Sequence, residues 1–215
     1  MVDNPASRPI VYGAAYSVYV RAVRLTLIEK GVAYDLVEAD VFGNPSQRAA
    51  QLQRHPFGKI PAFEHQRFHL YESQAIERYV DEAFGGPTLQ PTDLRDRARM
   101  NQVLSVLDAY VYPQLVWGVH LERVEKPKRG LQPDQARLAE ALAKSRICLL
   151  ALTQIMGDGP WLAGPSLTLA DLHAAPMLDY FCRAPEGRDL LGQFPKIAVC
   201  FGAMADRLDA VRVAA

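Results

Sequence analysis

Along the first ninety residues the spacing of apolar positions changes several times, and each change marks an element. Residues 9–12 form a short apolar run closed by Gly13, which predicts a strand. After Ser17, apolar side chains recur at Val20, Val23, Leu27 and Ile28 with helical spacing, and Gly31 stops the pattern. Residues 34–39 alternate well enough for a second strand. A turn-rich stretch from Phe42 to Pro45 leads into a short helix over 47–54. Residues 60–63 and 68–71 read as a hairpin joined through Glu64, His65 and Gln66. From Ser73 to Phe84 the apolar residues Ala75, Ile76, Tyr79, Val80 and Phe84 fall on one side of a helix. The order is βαβ, a short helix, then ββα.

Gly85-Gly86-Pro87, followed by Pro91, breaks the pattern and sets a boundary over 85–92 between a first domain, 1–84, and a second, 93–215. The second domain reads as all-helical. A long helix runs from Asp93 to about Glu122 with Pro113 inside it as a kink. Pro127 and Gly130 mark a loop, and helices follow over 133–156, 168–182 and 195–211. At the start of 168–182, Thr168 caps the helix while Asp171, three residues on, bonds back to the cap residue. Leu167 and Leu172 form the accompanying apolar staple.

Composition narrows the functional classes. The chain has 215 residues, 49% of them hydrophobic, enough for a sizeable core. Its 24 Lys and Arg balance its 24 Asp and Glu, which leaves no electrostatic footprint for nucleic acid or an anionic membrane. No apolar run is long enough to span a bilayer, and no basic segment followed by an apolar one opens the chain, so no secretory signal is expected. Cys148, Cys182 and Cys200 are odd in number, widely spaced and without a C-x-x-C pair, which favours a reduced, cytoplasmic setting and inert core thiols. Asp171, His173 and Asp179 lie on a capped apolar helix and read as structural, so no metal is expected. Lys126-Pro127-Lys128-Arg129 reads as a solvated loop.

Two stretches carry candidate chemistry. In His55-Pro56-Phe57-Gly58-Lys59-Ile60-Pro61-Ala62-Phe63, a proline opens an apolar run and withholds an N–H, so it belongs at a strand start or an edge. In Leu70-Tyr71-Glu72-Ser73-Gln74-Ala75-Ile76, a carboxylate, a hydroxyl and free backbone N–H groups gather where a strand feeds a helix, a place suited to the carboxylate of a small ligand. An extended, zwitterionic, peptide-like ligand would fit between them.

The βαβ–ββα order with a proline opening the third strand is the thioredoxin-like layout, and with helices behind it the chain resembles the soluble glutathione transferases. Tyr12-Gly13 followed by Ser17-x-x-Val20-Arg21 resembles their serine-type classes, phi above all. His55 to Ala62 is similar to the family's N-P-x-G-x-[VI]-P segment, with His for the usual Asn. Leu70 to Ile76 is similar to [LF]-x-E-S-x-A-I, and Leu167-Thr168-Leu169-Ala170-Asp171 to the S/T-x-x-D folding motif. With four motifs in order across the whole chain, it is identified as a serine-type, phi-like bacterial member.

The resemblance implies a fold, a thioredoxin-like α/β domain followed by an all-α domain that contributes the electrophile pocket. It also implies an activity, conjugation of the glutathione thiolate to small hydrophobic electrophiles, with glutathione as co-substrate and no tightly bound cofactor. Peroxidase or dehalogenase chemistry at the same site, or a non-catalytic binding module, are the alternatives. Ser17 would stabilise the thiolate, unless it serves only as a helix cap; Tyr16 is its main rival, Tyr12 and Tyr19 lesser ones, and Arg21 a supporting charge or a solvated residue. Ile60 would pair its backbone with the cysteinyl part, with Pro61 cis. Glu72 and Ser73 would hold the γ-glutamyl end and Lys59 the glycyl end. Tyr16, Tyr110, Trp117, His120 and Tyr180 would line the electrophile pocket, or else be core. A homodimer is implied, with neither nucleic acid nor membrane as partner. Two departures bear on affinity: Asn44-Pro45-Ser46-Gln47-Arg48 lacks the His-Lys pair of phi enzymes, and Gln74 replaces a frequent arginine, leaving glycyl-end and dimer-side contacts open.

Overall fold

Val11 sits at the centre of a four-stranded sheet, opposite Leu36 on one side and Phe63 on the other. The computed structural model describes residues 8–39, 41–42 and 45–213. Residues 43 and 44 of the expected turn, Asn44 of the departing segment, and the chain ends 1–7 and 214–215 lie outside the described residues.

The strands β1 (Ile10–Tyr12), β2 (Asp35–Val37), β3 (Ala62–His65) and β4 (Phe68–Tyr71) are ordered β2-β1-β3-β4. β1 runs parallel to β2 and antiparallel to β3, and β3 antiparallel to β4. Because side chains alternate along a strand, Val11 and Phe63 share a face. α1 (Val18–Glu29) and α3 (Ser73–Ala83) cover it with Val20, Val23, Leu27, Ile76 and Val80. α2 (Pro45–Arg54) completes the expected thioredoxin-like layout.

Two local details differ from expectation. β3 begins at Ala62 rather than residue 60. The hairpin turn is Gln66-Arg67 rather than Glu64-His65-Gln66, because His65 pairs with Phe68 and leaves only two residues between the strands. Both turn residues have positive φ, 51° and 66°, the signature of a type I′ turn, whose twist matches that of the strands. Neither is the Asn or Gly such a turn favours, so the sequence hides it. Gln66→Asn with Arg67→Gly should therefore stabilise the fold by about 1 kcal/mol, read as a rise in melting temperature of about 2–4 °C.

The helical part opens with α4 (Leu94–Val106), capped by Asp93, whose carboxylate accepts from the N–H groups of Arg95 and Asp96. The expected helix does not end at Pro113. Wider turns over Leu107–Val111 and Pro113–Glu125, with Tyr112 N–H bonded to Leu107 O and Lys126 N–H to Leu121 O, five residues back, carry the rod past the missing proline N–H into α5 (Lys126–Lys128). Lys126 and Lys128 pair with Glu122 and Glu125. After α6 (Gln135–Met156) comes α7 (Leu169–Arg183), which carries the expected reciprocal cap. Asp171 Oδ2 accepts from Thr168 N at 2.9 Å and Oδ1 from Leu162 N at 2.8 Å, so one carboxylate ties both the helix start and the preceding loop. The helix expected over 195–211 is instead two, α9 (Pro195–Gly202) and α10 (Ala205–Val213), and α8 (Pro185–Gly192) precedes them unforeseen. Pro185 holds Ala184 extended, which separates α7 from α8.

The chain divides into two compact units between Thr88 and Leu89. The tail from Arg207 belongs with the first unit. Arg24, wholly buried, donates to Val211 O at 2.9 Å and to the Tyr34 hydroxyl at 2.7 Å, and Arg207 pairs with Glu29. Lys30, also buried, meets Asp81 and the carbonyl of Pro87. Among the described residues no helix is long and apolar enough to cross a membrane.

Candidate active site

Three chain segments leave the sheet at the same end. Ala62 pairs with both Tyr12 and Tyr71, so Gly13, Pro61 and Glu72 are the next residues out on three adjacent strands. Gly13 is required here, since a Cβ would overlap Val20 of α1 and lie 3.4 Å from Ile60. That close approach delivers Ser17 to the first turn of α1.

Ser17 is half-buried, with φ −63° and ψ 132°. Its backbone N–H donates to Ala14 O and its carbonyl accepts from Arg21 N, both at 2.9 Å, but its hydroxyl makes no bond to the helix it precedes. No acidic residue occupies the first turn of α1. The positive end of the helix is thus met by neither the side chain of its own cap residue nor a carboxylate of its first turn.

Glu72 departs further from an ordinary cap. Its φ of 70° and ψ of 114° lie outside the regions a side chain tolerates freely, and its carboxylate does not bond the start of α3. Its side chain is 62% exposed. Ser73 beside it is buried. On the neighbouring segment, Ile60–Pro61 is a cis peptide and Ile60 lies outside the ladder. Lys59 is exposed, and its carbonyl accepts from Gln51 Nε2 at 2.7 Å.

Several residues here escape sequence reading. His55 is buried, its ring 4.8 Å from that of Tyr71 and its Nε2 3.8 Å from Glu72 Oε1. Burial lowers its pKa and Lys59 adds to this, against the opposing pull of Glu72. Gln51, four residues before His55, is buried with it, and the His55 N–H donates to the Gln51 carbonyl where α2 ends. Arg21 is buried rather than solvated. The Tyr12 hydroxyl donates to Glu64 at 2.9 Å and Arg54 covers its ring. Burial and that hydrogen bond raise its pKa, so its proton is both committed and harder to remove.

In the second unit His120 and Tyr180 are stacked with centroids 4.3 Å apart, and Arg183 lies over the other ring at 4.4 Å. Burial, chiefly, pushes His120 down to about 4 despite Glu125 Oε1 at 3.3 Å, so the ring is neutral at pH 7. Trp117 is edge-on to Tyr112, a residue not foreseen. Tyr110 is largely exposed, its carbonyl accepting from Cys148 Sγ. Tyr16, in the first unit, is half-exposed. His173 is spent on Asp108 at 2.9 Å and Asp179 on Arg183 at 2.8 Å. Burial raises the thiol pKa of all three cysteines, Cys182 to about 11 and Cys200 to about 12.

A thioredoxin-like unit with its loops gathered at one sheet end, followed by a helical unit, defines a class of two-domain thiol-handling proteins. The comparisons with known proteins agree. The description of a glutathione S-transferase N-terminal domain matches residues 11–88, and that of the C-terminal domain matches 135–198. Glutathione S-transferase F6 of Arabidopsis thaliana is 29% identical over 208 residues, 94% of this chain and 97% of that protein. A glutathione S-transferase of Hyoscyamus muticus is 31% identical over 172 residues, 79% of this chain and 81% of that protein. Among solved structures, glutathione transferase F2 of Populus trichocarpa superposes with a TM-score of 0.84 at 26% identity, covering 94% of this chain and 96% of that one. The chain belongs to the glutathione S-transferase family.

Proposed function

We propose that this protein is a serine-type glutathione transferase of the phi kind that joins the glutathione sulfur to small hydrophobic electrophiles. The observation that carries the reading is the Ser17 hydroxyl, placed at the positive end of α1 and not used to cap it. A thiolate seated there accepts the hydroxyl proton as a hydrogen bond and lies in the field of the helix N-terminus, and both effects favour the charged form. The thiolate attacks the electrophilic carbon, a C–S bond forms, and a leaving group departs with its electron pair.

In this reading Glu72 takes the γ-glutamyl ammonium and Ser73 the neighbouring carboxylate at the start of α3. The Ile60 backbone pairs with the cysteinyl part and Lys59 meets the glycyl carboxylate. On the second unit, Tyr110, Trp117, His120 and Tyr180 are the residues proposed for the electrophile, and a neutral His120 offers it a hydrogen bond without a charge. A cytoplasmic homodimer, with no tightly bound cofactor, belongs to the same reading. An ultraviolet difference titration with glutathione tests it. A bound thiolate should appear with a midpoint about two pH units below the ~8.5 of a free thiol. Saturable binding without thiolate would reduce the protein to a glutathione-binding module.

A further inference from the structure

We propose that His55 is a positioning residue for the ligand-binding carboxylate of Glu72, and that its imidazolium competes with the ligand's ammonium for that carboxylate. The inference rests on the assignment of Glu72 to the γ-glutamyl amine and adds to it a proton that binding must displace.

The geometry is specific. His55 follows the last turn of α2, its N–H bonded to Gln51 O at 2.8 Å, and its own carbonyl accepts from Gly58 N at 2.8 Å. Its ring is packed between Tyr71, at 4.8 Å, and Phe57, at 6.0 Å. This fixes Nε2 toward Glu72, 3.8 Å from Oε1. Nδ1 is buried and has no hydrogen-bond partner among the described residues. A neutral ring therefore keeps its proton on Nε2, facing the carboxylate, and leaves only a lone pair buried at Nδ1. Protonation puts a second N–H into that unpartnered place, a cost repaid only by Glu72.

The charged groups around the ring are few. Glu72 faces it from the start of α3, and Lys59 acts from the following loop against the charged form. On α2, Arg54 is turned away over the Tyr12 ring at 4.2 Å. On β4, His69 lies toward Glu64, and Tyr71 offers its ring. Among the described residues Glu72 is thus the one group that draws a proton onto His55. An ammonium placed on Glu72 neutralises that attraction. The imidazolium then loses its proton to solvent, and by linkage a protonated His55 weakens ammonium binding by the same factor. Burial sets the ring's pKa below its ordinary value, so His55 is neutral at pH 7 and the competition appears on the acid side.

The test uses S-methylglutathione, whose blocked sulfur removes Ser17 and thiol ionisation from the pH profile. Between pH 7.5 and 5 its affinity for the wild-type protein should fall about fivefold. His55→Asn and His55→Gln should both give a nearly flat profile. Calorimetry at pH 5.5 in two buffers of different ionisation enthalpy should show proton release from the wild type and none from the variants. NMR titration of the His55 ring in the unaltered protein needs no variant: saturation with S-methylglutathione should lower its pKa. Parallel pH profiles in wild type and variants, or a His55 pKa that stays put or rises on saturation, would overturn the competition while leaving the glutathione site intact. A failure of S-methylglutathione to bind at pH 7.5 would overturn the site assignment itself, and this inference with it.

Discussion

Ser17→Ala should lower kcat for conjugation by about 10²–10³-fold, the usual loss when one preorganised donor to a developing or bound anion is removed. It should do so without changing the melting temperature. A serine that caps a helix costs about 1 kcal/mol when replaced by alanine, but the Ser17 hydroxyl bonds none of the first N–H groups of α1, so there is no cap energy to lose. Steady-state kinetics and a thermal melt on the same preparation separate the two roles. A melting temperature lowered by several degrees with kcat intact would make Ser17 a cap and pass the thiolate to Tyr16, the half-exposed tyrosine beside it. Tyr16→Phe then becomes the damaging change. If Ser17 activates the thiol, the bound thiolate's titration midpoint moves up in Ser17→Ala and stays put in Tyr16→Phe. Tyr12 is removed from the contest by Glu64, which already holds its proton.

How much of this arrangement the sequence reveals depends on the range of the interaction responsible. Elements set by periodic burial are readable. Val20, Val23 and Leu27 announce α1 because each faces the same sheet, and Thr168 with Asp171 announces the start of α7 because the cap is closed within three residues. Turns set by strand pairing are not. Gln66-Arg67 takes positive φ because the register of His65 with Phe68 leaves it no other path, and neither residue signals this alone. The wide turns around Pro113 and the break between α9 and α10 are likewise not announced by the periodicity. At the candidate site, motifs point to Ser17, Pro61 and Glu72, yet the geometry around them is invisible in one dimension. The free hydroxyl of Ser17, the strained backbone of Glu72 and the buried ring of His55 beside it emerge only once Ala62 lies between Tyr12 and Tyr71.

The strain at Glu72 sets up the second large effect, in which stability and binding move in opposite directions. A non-glycine residue at φ 70° and ψ 114° costs of order 1–3 kcal/mol, whereas glycine adopts positive φ freely but loses about 0.5–1 kcal/mol more in conformational entropy on folding. Glu72→Gly should therefore raise stability by about 1 kcal/mol, or about 2–4 °C in melting temperature. The same change removes the carboxylate assigned to the γ-glutamyl ammonium. A hydrogen bond to a charged group contributes about 1.5–3 kcal/mol, so the Kd for glutathione should rise about 10–100-fold. Glu72→Ala is the necessary comparison, since it deletes the carboxylate but keeps a Cβ in the strained position. It should lose the same affinity with none of the gain in melting temperature. A glycine variant that binds glutathione as tightly as the wild type would remove Glu72 from the binding site. One that melts lower would show that the loop, rather than the ligand, dictates this backbone. In the role proposed for Glu72, a backbone held in an unfavourable conformation, with a carboxylate that neither caps a helix nor joins the core, would be stability given up for a ligand, and the pair of variants measures both sides of that exchange.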